Sequence, residues 1–271
     1  MKIIKLKLKC SKVFQRLSKV FCMLLLFPIV CNCQIPTEFY QAGFSKFNRD
    51  NYVEAIQDFN KAIIANPNLG DAFFMRGLAN LHLGNNAEAM SDLNKSLDLG
   101  FNHFHYHSFA TLARGLVKFN LGDISGAMND FEHGFSSKPS IINSRYIKTI
   151  TPIVNSAYLF RGHIKMTRGD CRCAIKDFEV IIENFEFQDT NPDPQVYLFI
   201  GLCKEDLNLK NEAIDAYSKA ISLNRTYAEA FYYRGVLRVS MGDKTNGCSD
   251  LSRAGELGLM DAYEIIKVKC N

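Results

Sequence analysis

The sequence contains none of the short motifs that most often accompany catalysis. It has no GxSxG nucleophile motif, no GxxxxGK[ST] phosphate loop and no GxGxxG turn. Each of these motifs places a nucleophile, or a row of backbone N–H groups, where a particular reaction needs it. No pair of carboxylates stands apart from ordinary solvated helix faces either. We therefore expect a protein that is not an enzyme and has no cofactor.

A hydrophobic run long enough to cross a bilayer is also missing. The apolar run from Val20 to Val30 has 11 residues, whereas a membrane-spanning helix needs about 20. The 19 residues before this run contain seven basic side chains and no acidic one. A basic start followed by a short apolar run is typical of an export signal.

The residues after the apolar run bear on cleavage and lipid attachment. Cys31 and Cys33 are small side chains at −3 and −1 relative to a cut directly after Cys33. A bacterial lipoprotein needs a small residue just before its lipidated cysteine, and Val30 and Asn32 fit that requirement poorly. We expect export to the cell envelope, periplasmic or secreted, with a lipid-anchored envelope assembly factor as the alternative. The predicted segments are a signal peptide, 1–33, and a mature chain, 34–271.

A strongly basic surface is absent once the leader is set aside. The whole sequence has 32 basic and 28 acidic residues, but seven of the basic ones lie in the leader. The remainder is slightly acidic, with 25 basic residues against 28 acidic ones. It contains no cluster of Lys and Arg interleaved with aromatic residues, which is the usual footprint of a nucleic-acid binder. We expect no nucleic-acid partner, and contact with a membrane only if the N-terminus is lipidated.

Glycine recurs along the chain at intervals that reveal a repeat. The intervals are 34, 38, 47, 39 and 34 residues, so insertions fall between units and not inside them. When each glycine is counted as position 8, position 20 is small and position 24 is large and apolar in all six units. A 34-residue period is that of a helix–turn–helix repeat. The six glycines are Gly43, Gly77, Gly115, Gly162, Gly201 and Gly235.

The pattern closely resembles the tetratricopeptide repeat (TPR), which has an aromatic residue near position 4, Gly at 8, Ala at 20 and Pro at 32. Two departures are Thr111, in place of the aromatic residue, and Ile181, in place of a small residue at position 27. The resemblance implies an all-α fold, a right-handed α-solenoid of about six units with a C-terminal capping helix, as in exported bacterial proteins of this type. The units are 36–69, 70–103, 108–141, 155–188, 194–227 and 228–261, with the cap at 262–271.

Two features of the repeat have direct structural explanations. Small residues at positions 8 and 20 let the two helices of a unit approach closely where they cross. Pairs such as Gly84–Asn85 and Gly169–Asp170 supply a residue that ends the first helix in a left-handed conformation and a side chain that can cap the second.

Arginine and aspartate occur together in the repeats. Four units have Arg at position 7 and Asp at position 23, and the fifth has lost both, with Ile200 and Ala216 in their places. Because this Arg and this Asp occur together and are lost together, we predict that they contact each other directly and join the two helices of a unit. In the first unit Asp58 faces Ala42, so we expect Asp58 to be exposed or to use a neighbouring cation. A paired guanidinium is committed to its carboxylate, which disfavours an anion-binding ladder.

His103, His105 and His107 form the densest cluster of residues that could bind a metal. Two of them could hold zinc, but no third ligand with a glutamate base follows at fixed spacing. We favour a polar segment that leads into the first helix of the third unit, and we expect no metal site. A metal-dependent enzyme using the segment His103–His107 is the minor alternative.

In this repeat the first helix of each unit lines the concave side of the solenoid. Positions 5, 9 and 12 of that helix are strongly apolar, which is typical of an interface. We therefore expect a scaffold that presents an apolar groove to a protein or peptide segment of a partner; packing of these side chains on one another is the alternative. The groove residues are Tyr40, Phe44, Phe47, Phe74, Leu78, Leu81, Leu112, Leu116, Phe119, Leu159 and Met166.

Five cysteines follow the predicted cleavage site, and an exported protein is in a compartment where disulfides persist. Cys248 lies on the second helix of the last unit, and Cys270 ends the cap that packs on it, so we expect these two to be bridged. Cys171 and Cys173 are poorly placed to bridge each other, although one of them could reach Cys203 in the next unit.

Overall fold

The computed structural model describes residues 36–101, 106–136, 147–188 and 190–270. These residues form thirteen α-helices and no strand. We number the helices α1, 36–47; α2, Tyr52–Ala65; α3, Gly70–His82; α4, Asn86–Leu99; α5, Tyr106–Asn120; α6, Ile124–Ser136; α7, Ile147–Thr167; α8, Cys171–Phe187; α9, Pro194–Asp206; α10, Lys210–Leu223; α11, Ala228–Ser240; α12, Lys244–Glu256; and α13, Asp261–Lys269.

The chain divides into two compact parts, with the boundary between Ala110 and Thr111 in α5. In the N-terminal part, α3 packs on α2 and on α4. In the C-terminal part, each helix from α7 to α12 packs on the next, and α13 packs on α11 and α12. This is the all-α arrangement of an α-solenoid built from helix pairs, as the 34-residue period predicts.

Position 8 is glycine because the second helix of the same repeat leaves no room for a side chain. A Cβ atom added to Gly162 would lie 2.6 Å from the ring of Phe178, and one added to Gly235 would lie 2.9 Å from the backbone oxygen of Gly247. Both distances are shorter than packed carbon and oxygen atoms tolerate. The predicted close crossing of the two helices at positions 8 and 20 is confirmed.

The turn between the two helices of a repeat uses one left-handed residue. Gly84 has φ +77°, and Asp50 and Asn208 occupy the equivalent place in the first and fifth repeats with φ of 62° and 60°. Capping of the second helix varies. Asp243 accepts a hydrogen bond from the backbone N–H of Asn246, but Asn85 makes no such cap and donates instead to the side chain of Asn80.

The insertion before the fourth repeat lengthens its first helix. Helix α7 has 21 residues, begins at Ile147 and contains Pro152. The second insertion ends in a turn whose Asp193 caps α9 by accepting from the N–H of Gln195, and Pro194 occupies the first turn of the helix.

One face of the short helix α13 packs on the end of the last repeat. Ala262 is fully buried, and Ile265 and Ile266 pack partly against the final core cluster. Val268, in the last turn of α13, is 74% exposed, so the packed face of the helix does not include it.

The predicted signal peptide, 1–33, lies outside the described residues, so export stays a prediction. Among the helices that the structure describes, none combines the length and the apolar character that a bilayer crossing requires.

Candidate functional site

The four predicted arginine–aspartate pairs are all present and share one geometry. In each, Nε and Nη2 of the arginine donate to the two carboxylate oxygens of the aspartate, at 2.6 to 3.0 Å. Each pair joins the first and second helices of one repeat, and each aspartate is buried. This part of the sequence prediction is confirmed. The pairs are Arg76–Asp92, Arg114–Asp130, Arg161–Asp177 and Arg234–Asp250.

In most of these pairs a second cation also binds the aspartate. The sequence analysis did not predict this cation. Lys118 contacts Asp130 at 2.8 Å, and Arg238 donates to Asp250 at 2.7 Å. These side chains follow the position 8 glycine by three residues and the arginine by four, about one helical turn, so both cations lie on the face of the first helix that meets the aspartate. A basic residue recurring at that interval was the available signal.

The first and fifth repeats show how the arrangement adapts. In the first, Asp58 is 5% exposed and accepts hydrogen bonds from Lys46 at 2.6 Å and from Lys61 at 3.0 Å. The hydrogen bond from Lys46 is the largest effect on Asp58 and lowers the pKa of its carboxyl, against the raising effect of burial. Asp58 therefore uses neighbouring cations, the second of the two options that the sequence left open. In the fifth repeat, Lys204 pairs with Glu212 instead.

The arginines have further partners that use their remaining surfaces. Nη1 of Arg76 donates to Asn60 in α2, and Nη1 of Arg234 donates to Ser218 in α10, so both bind the preceding repeat. The guanidinium of Arg161 lies over the ring of Phe135, with its carbon 4.4 Å from the centroid. Such stacking adds to a charge-assisted pair. These side chains join helices, which argues against an anion-binding ladder.

The predicted groove residues fall into two classes by burial. Six are less than 9% exposed and belong to the core: Tyr40, Phe47, Phe74, Leu78, Leu112 and Leu116. Five are partly exposed: Phe44, Leu81, Phe119, Leu159 and Met166. The six buried side chains are not available as a free binding surface, because neighbouring rings and helices cover them. In the N-terminal part, for example, the ring of Phe74 packs 5.1 Å from that of Tyr106.

The equivalent positions of the last three repeats, in the C-terminal part, are more open, except that Leu198 is buried. We call the surface at the open positions the C-terminal face. Each of its members is partly exposed and comes from the first helix of its repeat, α7, α9 or α11. The members are Leu159, His163, Met166, Leu202, Glu205, Tyr232, Val236 and Val239.

The C-terminal face is mainly apolar, and its one carboxylate is hydrogen-bonded to a core side chain. Glu205 accepts a hydrogen bond from the hydroxyl of Tyr217 at 3.0 Å, and the Tyr217 side chain is fully buried. Burial and the nearby Glu205 both raise the pKa of Tyr217, so its hydroxyl keeps its proton and stays a donor. The imidazole of His163 lies 5.4 Å from the ring of Phe199.

The predicted histidine cluster can be followed only in part. His103 and His105 lie outside the described residues, and His107 packs edge-on against Phe101 with ring centroids 6.4 Å apart. Within the part of the chain that the structure covers, no group of three or more His, Cys, Asp or Glu side chains could hold a metal ion.

Cys248 and Cys270, the pair singled out from the sequence, form a disulfide in the structure. Their Cα atoms are 5.8 Å apart, and the bond closes a loop of 22 residues. It joins α12 to the residue that follows α13. The C-terminal helix is thereby attached covalently to the last repeat.

Comparisons with known proteins support the repeat assignment. Residues 70–102 match the model of the tetratricopeptide repeat, and residues 210–242 match a second TPR repeat model. No match was found among curated protein sequences.

Solved structures with the same fold are numerous. PilF of Pseudomonas aeruginosa has a TM-score of 0.63 and 14% identity, covering 88% of this chain and 99% of that one. YrrB, described as a TPR protein with an unusual peptide-binding site, has a TM-score of 0.61 and 16% identity, covering 77% and 97%. The C-terminal part of a TPR protein from Cytophaga hutchinsonii has a TM-score of 0.55 and 15% identity, covering 84% and 82%.

At these identities the structural neighbours establish the fold, and the two matched repeats carry the family's own sequence pattern. The fold is in general a scaffold for protein–protein interaction. The chain contains tetratricopeptide repeats, at residues 70–102 and 210–242, within an all-α solenoid of the same fold as these neighbours.

Proposed function

We propose that this protein is a non-catalytic scaffold whose C-terminal face binds an apolar segment of a partner protein. The observation that carries the proposal is the partial exposure of positions 9 and 12 in three successive repeats, where most of the side chains are apolar. Leu202 and Val236 occupy position 9 of their repeats, on α9 and α11, and Leu159 occupies position 5 on α7, about one helical turn earlier in its repeat. These side chains offer apolar contacts to a helical or extended segment.

The chemistry of this face selects for an apolar partner. Met166, Leu202 and Val239 contribute aliphatic surface, and the carboxylate of Glu205 is turned toward Tyr217. The arginines of the fourth and sixth repeats are paired with aspartates and do not add free cations to the face. Affinity would therefore come from burial of apolar area, at about 25 cal/mol per Å², with few charge-assisted contacts. YrrB, whose description names a peptide-binding site, supports a peptide or protein partner.

Site-specific photo-crosslinking tests the face directly. A benzophenone amino acid is introduced at position 236, on the C-terminal face, or at position 219, where Lys219 is exposed on α10. We expect cross-links to a partner protein from position 236, and their loss when Met166→Asp is added to the same chain. Circular dichroism checks that each variant folds. Equal cross-linking from positions 236 and 219 would show that the face is not the binding surface.

We also propose that the protein is exported to the cell envelope, with residues 1–33 removed. The support is the order of features in the leader: basic residues, then a short apolar run, then small residues at −3 and −1 of the cleavage site. Mass spectrometry of the mature protein should find an N-terminus at Gln34. A soluble cytoplasmic protein that retains Met1 would contradict export, and a lipid-modified cysteine at the N-terminus would identify the anchored alternative.

A further inference from the structure

Two thiols from neighbouring repeats meet in the core of the C-terminal part. Cys171 is the first residue of α8, and Cys203 lies in α9. The two residues are 3% and 0% exposed and belong to one packed cluster. Sγ of Cys171 donates to Oδ2 of Asp206 at 3.5 Å, and Asp206 follows Cys203 by three residues on α9, so the Cys171 thiol reaches the part of α9 that carries Cys203.

This arrangement distinguishes Cys171 from its near neighbour Cys173. A disulfide needs two side chains that point toward each other across a short Cα separation, and Cys171 and Cys203 belong to one packed cluster on two helices that contact each other. Cys173 is partly exposed, and its backbone N–H donates to the capping carboxylate of Asp170. Positions two residues apart on a helix point in different directions, so Cys173 is not oriented toward Cys203 when Cys171 is.

We propose that Cys171 and Cys203 are a second disulfide site, at which oxidation joins α8 of the fourth repeat to α9 of the fifth. The fifth repeat is the one with Ile200 and Ala216 in place of the internal arginine–aspartate pair. A bond at this junction fixes that repeat to the preceding one. In the structure both residues are free thiols, which is the reduced form of the site.

The oxidation proceeds by exchange with a small disulfide, for which oxidised glutathione is the probe. The thiolate of Cys171 attacks one sulfur of the probe, forms a mixed disulfide and releases one glutathione thiolate. The thiolate of Cys203 then attacks Sγ of Cys171 and releases the second glutathione thiolate. The protons of the two protein thiols end on the two glutathione molecules, so two protein thiols are oxidised and one probe disulfide is reduced.

Burial sets the rate of this exchange. Desolvation raises the pKa of the Cys171 thiol and of the Cys203 thiol. Few thiolates are present at neutral pH, and access requires a local opening of the repeat, so we expect slow oxidation. The product is enclosed in the same core and should resist reduction equally well.

Peptide mapping of the full chain tests the proposal, and the sequence provides a convenient cleavage site. Trypsin cuts after Arg172, which separates the two candidate cysteines into peptides 169–172 and 173–176; Cys203 lies in peptide 177–204. The reduced protein is incubated with oxidised glutathione, denatured with an alkylating agent and digested without reductant. We expect peptide 169–172 joined to peptide 177–204, with the mass of two hydrogen atoms lost, and Cys173 alkylated.

The Cys248–Cys270 bridge serves as an internal control, because it joins peptides 245–253 and 270–271 in the same digest. Cys173→Ser should retain the new cross-link, and Cys203→Ala should abolish it and leave Cys171 alkylated. A cross-link that contains peptide 173–176 in place of 169–172 would overturn the proposal. So would recovery of Cys171 and Cys203 as alkylated thiols in chains whose control bridge has formed.

Discussion

Arg161 and Asp177 form a two-point ion pair that joins α7 to α8. Nε of the arginine donates to Oδ2 at 3.0 Å, Nη2 donates to Oδ1 at 2.6 Å, and Nζ of Lys165 donates to Oδ2 at 2.9 Å. The Asp177 side chain is 5% exposed. The carboxylate is therefore enclosed and fully hydrogen-bonded between the two helices that it joins.

Removal of Arg161 should leave this buried carboxylate with one cation. We expect Arg161→Ala to lower the free energy of unfolding by about 2–4 kcal/mol, because an aspartate that loses its main partner keeps its desolvation cost. Urea denaturation measures the change. As a control, Arg253→Ala removes half of an exposed pair with Glu256 and should cost no more than about 0.5 kcal/mol.

The natural replacement in the fifth repeat suggests a matched double variant. Arg161→Ile with Asp177→Ala reproduces the residues at positions 200 and 216. We expect the double variant to lose less stability than the sum of the two single variants, since no charge is left buried alone. Simple addition of the two losses would show that Arg161 and Asp177 are not energetically coupled.

Asp58 should make stability depend on acid pH. The hydrogen bond from Lys46 lowers the pKa of Asp58 in the folded protein, so the stabilisation is present above the unfolded pKa of about 4 and is lost as pH falls through the lower, folded value. We expect Asp58→Asn to be destabilising at pH 7. The difference from wild type should shrink as the solution is acidified, measured as unfolding free energy against pH. A difference that is the same at all acid pH values would contradict the role of ionisation.

Two glycine-to-alanine variants should lower the free energy of unfolding for different reasons. In Gly162→Ala the new methyl meets the ring of Phe178, and overpacking of this kind costs about 1–3 kcal/mol. In Gly84→Ala nothing lies within 4 Å of the new methyl, but φ is +77°, which costs about 1–2 kcal/mol for an L-residue. Adding Phe178→Leu should recover part of the loss for Gly162→Ala. The same addition should not help Gly84→Ala, and unfolding measurements on the four chains distinguish the two mechanisms.

Loss of the Cys248–Cys270 bridge should loosen the C-terminal end. Closing a loop of 22 residues stabilises a protein by about 3 kcal/mol in the chain-entropy model, and a nine-residue helix such as α13 is marginal by itself. We expect Cys270→Ser to speed hydrogen exchange in α13 and in the adjacent α12. Unchanged exchange rates in α13 would mean that the contacts of Ala262 and Ile266 hold the helix without the bridge.

The local sequence pattern was sufficient for the repeat and for its internal pairs. A glycine at position 8 predicts close helix contact wherever a large residue follows at position 24, and Gly162 with Phe178 has that geometry. Arg161 and Asp177 are 16 residues apart, a separation set by two helices of fixed rise and one short turn. Such relations need only the geometry within one repeat, so they could be predicted without a structure.

Burial and partner choice were decided by the tertiary structure. Phe74 and Met166 follow similar sequence rules, yet Phe74 is 1% exposed and Met166 is partly open, because burial depends on which neighbouring helix and which rings cover each position. The choice of Cys171 as the neighbour of Cys203 likewise depends on the rotation of α8 against α9. Helix periodicity specifies which face a residue occupies, but the hydrophobic effect acts through contacts between distant parts of the chain, and those contacts exist only once the repeats have stacked.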